Sequence, residues 1–299
     1  MKNEKTREIL AGGGLLLAAV IWGFAFVVVK NALDIIPAIY MLAFRFTLAG
    51  VVLAVIFWKK WKSLTRVQLK QGLVLGVFLF LAYAFQTVGC QYTTAGKNAF
   101  LTTVYVVLVP LFCWAVFHKR PENRCLVAAV LAFFGIGLLS LNGGFSINLG
   151  DLLTLVCGIF YAVHMICIDR FTEHSDPVLL TVLQLLMVSA ISWAVAPLWD
   201  GPFPAAALSK DGLVAMGYLG LLSTMVGFTL QTVGQKFTPP AAAALLLSFE
   251  SVFGVLFSTI FLREQMTPRM VAGCVCLFAA VVISQVKLEK RKAAPAAGN

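Results

Sequence analysis

Apolar residues occur along this chain in ten long runs, which short polar or charged segments separate. Each run holds about 20 residues, the length that an α-helix needs to cross the hydrocarbon core of a bilayer. Runs of this length without polar alternation predict helices that are apolar all round. The predicted helices are Leu10–Val29, Pro37–Trp58, Gln71–Gln91, Lys97–Phe117, Arg124–Leu141, Leu149–Ile168, Pro177–Trp199, Gly212–Gln235, Ala241–Leu262 and Arg269–Val286.

Composition narrows the class of protein. Hydrophobic residues make up 60% of the 299 positions, and charged residues make up only 12%. A soluble domain of this length cannot bury so much apolar surface, and disordered chains have low hydrophobicity. We therefore predict an all-α integral membrane protein. The first run follows Lys2, Lys5 and Arg7 as in a signal peptide, but it is too long for one, so we expect it to remain a helix.

The basic residues are distributed unevenly between the two sides of the predicted bundle. With both termini in the cytoplasm, seventeen of the 23 Lys and Arg residues lie on the inner side and five on the outer side. Arg45 lies within the second run. This asymmetry follows the positive-inside rule, so we expect a multi-pass protein of the cytoplasmic membrane with both termini inside. Because the charge follows topology, it does not indicate nucleic-acid binding.

The chain repeats itself at an offset of 145 residues, since Phe85–Gly89 matches Leu230–Gly234 with an identical Gln-Thr-Val-Gly. In the first helix of each half the offset is 138, which sets Trp22–Phe24 opposite Phe160–Ala162. We therefore expect two five-helix repeats, residues 10–141 and 149–286, and a basic cytoplasmic tail, residues 287–299. Five is odd, so the second repeat enters the membrane inverted. Inverted repeats are typical of secondary transporters with a substrate site near the midplane.

Several motifs resemble those of the EamA-type transporters of the drug/metabolite transporter superfamily. The resemblance extends over about residues 10–286, in two copies. It implies a ten-helix inverted-repeat fold around a central cavity, and the export of small metabolites, amino acids or drugs. The resembling motifs are Trp22-Gly23, Phe44-Arg45-Phe46, Tyr92–Gly96, Phe100–Thr102, Ser248–Phe253 and Leu262–Glu264.

Glu250 is the clearest candidate for chemistry, because it lies near the middle of the ninth predicted helix. A carboxylate at that depth costs roughly 2.5–3.5 kcal/mol, a cost that protonation lowers. We predict a proton carrier or a partner for a substrate amine; the alternative is a protonated carboxyl bonded to a neighbouring helix. Tyr105 is the repeat mate of Glu250, so we expect the two side chains to face each other. The alternative for Tyr105 is a packed ring bonded to a backbone carbonyl.

Other polar residues inside the predicted helices have competing interpretations. We expect Arg45 to be a structural charge, either in an ion pair with a partner such as Asp34 or Glu250 or in a clamp on backbone carbonyls, rather than an anion-binding group. His164 is either a satisfied interior group or, with Glu250, part of a proton relay. For Gln86 and Gln231, interhelical hydrogen bonds are the alternative to a role in the cavity. The predicted substrate cavity contains Trp22, Phe26, Gln86, Asn98, Thr102, Tyr105, His164, Gln231, Glu250 and Phe253.

The predicted function is a secondary transporter that exports small organic metabolites by alternating access, with proton coupling as a further hypothesis. A facilitative uniporter or channel of the same fold and an intramembrane enzyme are the alternatives. Hydrolase, zinc-peptidase and nucleotide-loop motifs are missing from the sequence, so we expect neither an enzyme nor a cofactor. The seven cysteines lie almost entirely within apolar runs and predict neither disulfides nor a metal site. The expected partners are a small-molecule substrate, the lipid bilayer and a proton.

Overall fold

A computed structural model of the chain describes residues 2–117, 123–140, 147–238 and 240–285, and over these residues the architecture is all-α. The predicted tail, residues 287–299, lies outside the described residues, as do the predicted helix ends Leu141 and Val286. The α-helices are α1 Lys2–Ala32, α2 Ala38–Ile56, α3 Arg66–Tyr92, α4 Ala95–Thr102, α5 Tyr105–Phe117, α6 Asn123–Ser140, α7 Leu149–Thr172, α8 Pro177–Trp199, α9 Lys210–Gly217, α10 Gly227–Phe237, α11 Pro240–Phe261 and α12 Pro268–Gln285.

The described residues include seven helical segments that are long and apolar enough to cross a membrane. Three shorter apolar helices, Leu126–Leu138, Leu246–Phe261 and Pro268–Ile283, coincide with the fifth, ninth and tenth predicted helices. Each predicted helix therefore overlaps an apolar helical segment. The seven long segments are Ile9–Ala32, Ala38–Ile56, Arg66–Tyr92, Ala95–Ala115, Leu149–Thr172, Pro177–Trp199 and Lys210–Phe237.

Local sequence explains where several helices begin. Thr65 and Gln68 form a capping box at the start of α3, in which each side chain accepts a hydrogen bond from the other residue's backbone N–H. Asn148 caps α7, with its Oδ1 2.6 Å from the nitrogen of Gly150. Asp176 caps α8, and Pro177 occupies the first turn, where its missing N–H costs nothing.

The predicted helix Lys97–Phe117 is interrupted in the structure. Between α4 and α5 the chain tightens into 3₁₀-type bonds, such as Thr103 N to Phe100 O at 3.2 Å and Val106 N to Thr103 O at 3.0 Å. The hydroxyl of Thr103 also donates to Phe100 O at 2.7 Å. Hydroxyls that bond back to the preceding turn compete with regular helix geometry. The interruption lies immediately before Tyr105.

The eighth predicted helix also departs from regular geometry, because a π-helical segment, Tyr218–Val226, joins α9 to α10. The segment is flanked by glycines at 217 and 227 and contains a third. A Cβ added at Gly220 would lie 2.8 Å from Leu48, and one added at Gly227 would lie 2.4 Å from Trp22. Both glycines thus let the wide helix approach α1 and α2 closely. π-Helical turns are frequent at functional sites.

Small residues allow helices to approach each other closely. The α3 positions Gly72 and Gly76 lie directly against Leu183 and Met187 of α8, in the small-x-x-x-small pattern of membrane helices. Further helix pairs form along the bundle. Helix α1 packs on α10 and α11, α7 packs on α3 and α5, α2 packs on α8, and α6 packs on α12. Large apolar side chains face outward elsewhere, as at Phe133, which is 74% exposed.

Candidate functional site

A central cavity of about 610 Å³, including the part that opens to solvent, lies between eight helices and the π-helical segment. The wall is mainly aromatic and apolar, with a few polar groups. The lining residues are Trp22, Ala25, Phe26, Val29, Arg45, Tyr83, Gln86, Thr87, Cys90, Asn98, Tyr105, Tyr161, Met165, Ser223, Phe228, Gln231 and Glu250.

Glu250 and Tyr105 meet in this wall. The Tyr105 hydroxyl donates to Oε1 of Glu250 at 3.2 Å, and the two residues are only 4% and 5% exposed. The sequence repeat predicted that these two side chains face each other, and the contact confirms it. In the described part of the chain no basic side chain pairs with Glu250. The carboxyl group therefore has one protein hydrogen bond and faces the cavity.

Arg45 is 2% exposed and lies in the same wall. Its Nε donates to Thr224 Oγ1 and its Nη2 donates to Ser223 Oγ, both at 2.9 Å. Its guanidinium carbon lies 4.9 Å from the centre of the Tyr83 ring, in cation–π geometry. These contacts differ from the expectation of an ion pair with Asp34 or Glu250, because neutral hydroxyls of the π-helical segment replace the carboxylate.

Aromatic rings line the space between Arg45 and Glu250. The Tyr83 and Tyr161 centroids are 5.7 Å apart, and the Tyr161 and Tyr105 centroids are 6.2 Å apart. Edge-to-face and tilted pairs of this kind stabilise a wall without closing its surface to ligands. Phe228 packs 5.2 Å from Trp22 and 5.8 Å from Tyr83, centroid to centroid.

Amide side chains add polar points to the wall. Gln86 Nε2 donates to Thr102 Oγ1 at 3.1 Å, and Gln86 Oε1 accepts from the Tyr161 hydroxyl at 3.1 Å. Asn98 Nδ2 donates to Thr154 at 2.8 Å. Two buried oxygens, Oδ1 of Asn98 and Oε1 of Gln231, have no hydrogen-bond partner among the described residues. Both belong to residues of the cavity wall, and each is a buried acceptor that the described side chains leave unsatisfied.

Seven of the ten predicted cavity residues line this cavity, and the other three, Thr102, His164 and Phe253, are not among its lining residues. Thr102 supports Gln86 through the hydrogen bond described above. His164 is fully buried, with its Nε2 2.7 Å from Gln184 Oε1, and its Nδ1 has no partner in the described part of the chain. Phe253 stacks on Phe257.

Sequence reasoning missed several wall residues. Tyr83 and Phe228 were absent from the predicted set, although they are separated by the repeat offset of 145 residues. Applying the offset to every aromatic residue would have found this pair. Nothing comparable marks Tyr161 or Met165, which differ from other apolar residues of α7 only in the direction they face.

A second pocket, of about 720 Å³, adjoins the first, since Met165 lines both. It lies toward the C-terminal ends of α7 and α10, with Asp169, Arg170 and Gln235 in its wall. Under the predicted topology these helix ends face the cytoplasm.

The opposite end of the bundle is held by polar contacts between helices. Lys30 Nζ donates to the carbonyls of Cys90 and Thr93, each at 2.7 Å, and so binds the C-terminus of α3. The buried carboxylate of Asp151 accepts from the Thr93 hydroxyl at 2.5 Å and pairs with Lys97 at 3.4 Å.

A second carboxylate fixes this end from the loop before α12. Glu264 accepts from the backbone nitrogens of Ala95 at 2.7 Å and Gly96 at 3.0 Å, and so caps α4. The preceding Arg263 has a left-handed backbone with φ of 53°. That turn directs Glu264 toward α4.

Together the apolar helices and the polar–aromatic cavity are typical of a multi-pass membrane protein, and the cavity is its candidate small-molecule site. A model of the EamA-like transporter family matches the chain twice, over residues 10–141 and 148–285. The chain belongs to the EamA-like transporter family, as the sequence motifs predicted.

Named relatives cover almost the whole chain. A protein of Archaeoglobus fulgidus named "Uncharacterized transporter" is 33% identical over 285 residues, which cover 95% of this chain and 89% of the relative. A protein of Escherichia coli named "Probable amino-acid metabolite efflux pump" is 28% identical over 304 residues, or 93% of this chain and 95% of that protein. One crystal structure superimposes with a TM-score of 0.67 at 16% identity, covering 92% of this chain and 96% of the other, which shows a shared fold.

Proposed function

We propose that this chain is a secondary transporter of the cytoplasmic membrane that exports small organic metabolites by alternating access. The proposal includes ten membrane spans in two inverted five-helix halves, with both termini in the cytoplasm. One observation carries it. The central cavity is lined by pairs of residues that are repeat mates at an offset of 145, and inverted-repeat transporters have their substrate site at the interface of the two related halves. The pairs are Tyr83 with Phe228, Gln86 with Gln231 and Tyr105 with Glu250.

Helix packing supports the two-half arrangement. Helix α7 packs on α3, α4 and α5, and α1 packs in the corresponding way on α10 and α11. Gly89 and Gly234 are repeat mates, and they approach Leu153 and Leu15, which are mates at the offset of 138. The helices that α1 contacts thus correspond to those that α7 contacts, as expected of two halves related by an inverted repeat.

The two ends of the bundle support an inward-facing conformation. The pocket at Asp169 and Gln235 adjoins the cavity on the predicted cytoplasmic side. On the predicted outer side Asp151 and Glu264 connect the halves through hydrogen bonds and an ion pair with α3 and α4. Outward opening would break these contacts and close the inner pocket.

Proton coupling through Glu250 is the finer part of the proposal. A buried carboxylate without a cationic partner gains most from binding a proton or a substrate amine. One charge crossing 100 mV releases about 2.3 kcal/mol, so a potential of roughly 150 mV supports a gradient of several hundredfold. His164 lies behind Phe228 and remains a predicted second relay group.

The test is the extracellular metabolite profile of cells that overproduce the intact chain, beside an empty vector, Glu250→Gln and Glu173→Gln. Glu173 is half-exposed at the end of α7 and controls for loss of a carboxylate. We expect one metabolite class to rise outside with the intact chain and the control, and at least about tenfold less with Glu250→Gln.

Each other outcome removes a defined part of the proposal. An unchanged profile in every strain, with protein present in the membrane, would contradict export. A full rise with Glu250→Gln would leave export in place and remove proton coupling through this residue. In proteoliposomes, failure to accumulate the exported compound against its gradient would favour a facilitative uniporter of the same fold.

A further inference from the structure

The sequence repeat relates the two ends of the bundle, so contacts at one end can be compared with their repeat mates at the other. At the predicted outer end, the ammonium group of Lys30 donates to the carbonyls of Cys90 and Thr93 at the C-terminus of α3. The last carbonyls of an α-helix have no partner within the helix and carry partial negative charge, so a cation there is stabilising. At the outer end this cation belongs to the chain itself.

The corresponding position at the predicted inner end carries an apolar side chain in place of the lysine. The offset of 138 places Ile168 opposite Lys30. The offset of 145 places Gln235 and Thr238, at the C-terminus of α10, opposite the two residues whose carbonyls bind Lys30. Ile168 is fully buried, and its side chain has no hydrogen-bond donor. The C-terminus of α10 therefore has no counterpart of the Lys30 ammonium group at this position.

Polar atoms at this inner position lack hydrogen-bond partners. Gln235 is 4% exposed, and neither its Nε2 nor its Oε1 has a partner among the described residues. The buried hydroxyl oxygen of Thr238, about one helical turn further along, has none in the same part of the chain. Gln235 lines the inner pocket of about 720 Å³. Buried polar groups are normally satisfied, so these atoms indicate a ligand at this end of the pocket.

The charges around the inner pocket favour a cation. Asp169, the residue after Ile168, contributes its carboxylate to the pocket wall. Arg170 lines the same pocket, but its exposed side chain pairs with Glu173 at 3.5 Å, so these two charges compensate each other. Lys236 is exposed and is not among the lining residues. The net charge of the pocket is therefore that of one carboxylate.

The available ligands indicate a small monovalent ion. Carboxylate, amide, hydroxyl and carbonyl oxygens are hard ligands, which suit alkali and alkaline-earth ions better than softer transition metals. One carboxylate among neutral oxygens balances one positive charge. The described residues contain no cluster of three or more His, Cys, Asp or Glu side chains of the kind that holds a multivalent metal. In other transporter folds, C-terminal helix ends coordinate Na⁺ in this way.

We propose that the inner pocket binds a monovalent alkali cation, Na⁺ or K⁺, between the carboxylate of Asp169 and the C-terminus of α10, with Gln235 Oε1 and the Thr238 hydroxyl as further ligands. The ion takes the place that Lys30 occupies at the outer end. In an outward-facing conformation the inner end closes as the outer end does here, so the ion stabilises the closed inner end. This last consequence rests on the proposed alternating access, whereas the ion site itself does not.

Thermal unfolding of the purified full-length protein in detergent tests the site without transport. NaCl or KCl replaces choline chloride at constant ionic strength, so that screening of surface charges does not change and only a site for a small cation responds. We expect the melting temperature to rise with NaCl, KCl or both and then to saturate, because a ligand that binds the folded state stabilises it. The comparison of the two salts distinguishes Na⁺ from K⁺ as the preferred ion.

Two variants locate the ion. Asp169→Asn should raise the half-saturating cation concentration at least about tenfold, since the loss of even a supporting group at a metal site costs that much. Gln235→Leu replaces an unsatisfied buried amide with an apolar side chain, so without the cation it should melt no lower than the parent, yet its response to the cation should be smaller. A purely structural role for Gln235 would not separate these two readouts. Asp34→Asn, at an exposed position of the predicted outer end, is the matched control and should respond as the parent does.

A melting temperature of the intact protein that is the same in NaCl, KCl and choline chloride would overturn the inference. So would a response that Asp169→Asn and Gln235→Leu both retain in full, or one that Glu250→Gln alone removes, because that ion would bind in the central cavity. If Asp169→Asn does not fold, Gln235→Leu and the intact protein decide the question. The metabolite profile tests export separately. Cation binding by a protein that exports nothing would retain the ion site and remove only its proposed effect on the conformations.

Discussion

Helix α3 and the segment Lys210–Phe237 occupy corresponding places in the two segments that match the family model, but they fold differently. Helix α3 is α-helical throughout, whereas the later segment passes from α9 through a π-helical stretch into α10. At the offset of 145, the π-helical stretch corresponds to Leu73–Leu81, which contains no polar side chain. Ser223 and Thr224 are thus specific to the second segment.

This difference shows how a duplicated scaffold acquires an asymmetric site. The π-helical stretch binds Trp22 through the carbonyl of Ser223 at 2.8 Å, and it binds Arg45 through two hydroxyls. Glu250 in place of a second tyrosine is the other departure from symmetry. The shared helices provide the framework, and a few polar substitutions give the cavity different ends.

The largest expected effect on stability comes from a pair of repeat mates, Gly12 and Gly150, at which the same substitution should have unequal consequences. A Cβ at Gly150 would lie 2.5 Å from Gly89 O and within 2.8 Å of the backbone of α3 and Thr93. At Gly12 the nearest atom is a Leu246 methyl at 3.5 Å. We expect Gly150→Ala to cost about 3 kcal/mol, the upper end of ordinary overpacking, and Gly12→Ala to be neutral or slightly stabilising.

Thermal unfolding of the two variants in the same detergent provides the measurement. Equal melting temperatures for Gly12→Ala and Gly150→Ala would contradict the close contact between α7 and α3.

The next effect concerns the hydroxyls that are specific to the π-helical stretch. Replacing both, Ser223→Ala with Thr224→Val, leaves a buried guanidinium without its acceptors, so we expect a loss of roughly 1–3 kcal/mol. Thr229→Val is the matched control, because that hydroxyl bonds only to Met225 O within its own segment. Unfolding in graded denaturant compares the variants. A double variant as stable as Thr229→Val would show that Arg45 draws no stability from this stretch.

A smaller effect is expected at the cap that connects the second segment to the first. Glu264→Gln weakens two charge-assisted hydrogen bonds to Ala95 N and Gly96 N, for which we expect a loss of about 0.5–2 kcal/mol. Because these bonds close the predicted outer end, the variant should also make a cysteine introduced at Phe26 more accessible from outside. Lower accessibility in Glu264→Gln than in the parent would contradict the outer-end assignment.

The smallest expected effect is on the pH dependence of stability, and it differs in sign between the carboxylates that cap α2 and α8. Asp176 caps α8 and pairs with Lys60; partial burial alone would raise its pKa, but these hydrogen bonds outweigh burial and lower the pKa from its ordinary 3.8. Asp200 accepts from Ile39 N and Tyr40 N at the start of α2, yet burial raises the pKa of its carboxyl. A carboxyl group with a lowered pKa stabilises the fold above pH 3.8, and this stabilisation is lost as the pH falls. A carboxyl group with a raised pKa instead destabilises the fold as the pH rises.

Melting temperatures between about pH 3 and pH 7 test this contrast. Relative to the parent, Asp176→Asn should become less stable as the pH rises and Asp200→Asn more stable. Parallel profiles for the two variants would contradict the opposite shifts.

The sequence predicted the helices well because runs of about 20 apolar residues have few other stable forms in a bilayer. It did not predict the break before Tyr105 or the π-helical stretch, since both depend on local bonds such as that of Thr103 to Phe100 O. Lipid and protein interior are both apolar, so composition alone did not separate the exposed Phe133 from the buried Phe228.

The repeat correctly predicted one contact in the cavity wall. The offset that aligned Tyr105 with Glu250 led to a contact in the structure. His164 and Phe253 were placed on the correct helices, but their direction was not fixed by spacing, and neither is among the residues that line the cavity. The hydroxyl partners of Arg45 come from a stretch whose geometry no simple helical period describes.

Trp22 is the tryptophan that lines the cavity, while Trp58, Trp61, Trp114, Trp193 and Trp199 do not. Its indole N–H is bonded to the carbonyl of Ser223, and its ring packs on Phe228. A molecule entering the cavity changes the polarity around this ring, and therefore changes the wavelength and intensity of its fluorescence. The chain thus contains an intrinsic optical probe, with Trp22→Phe as its blank, that reports occupancy before any substrate is labelled.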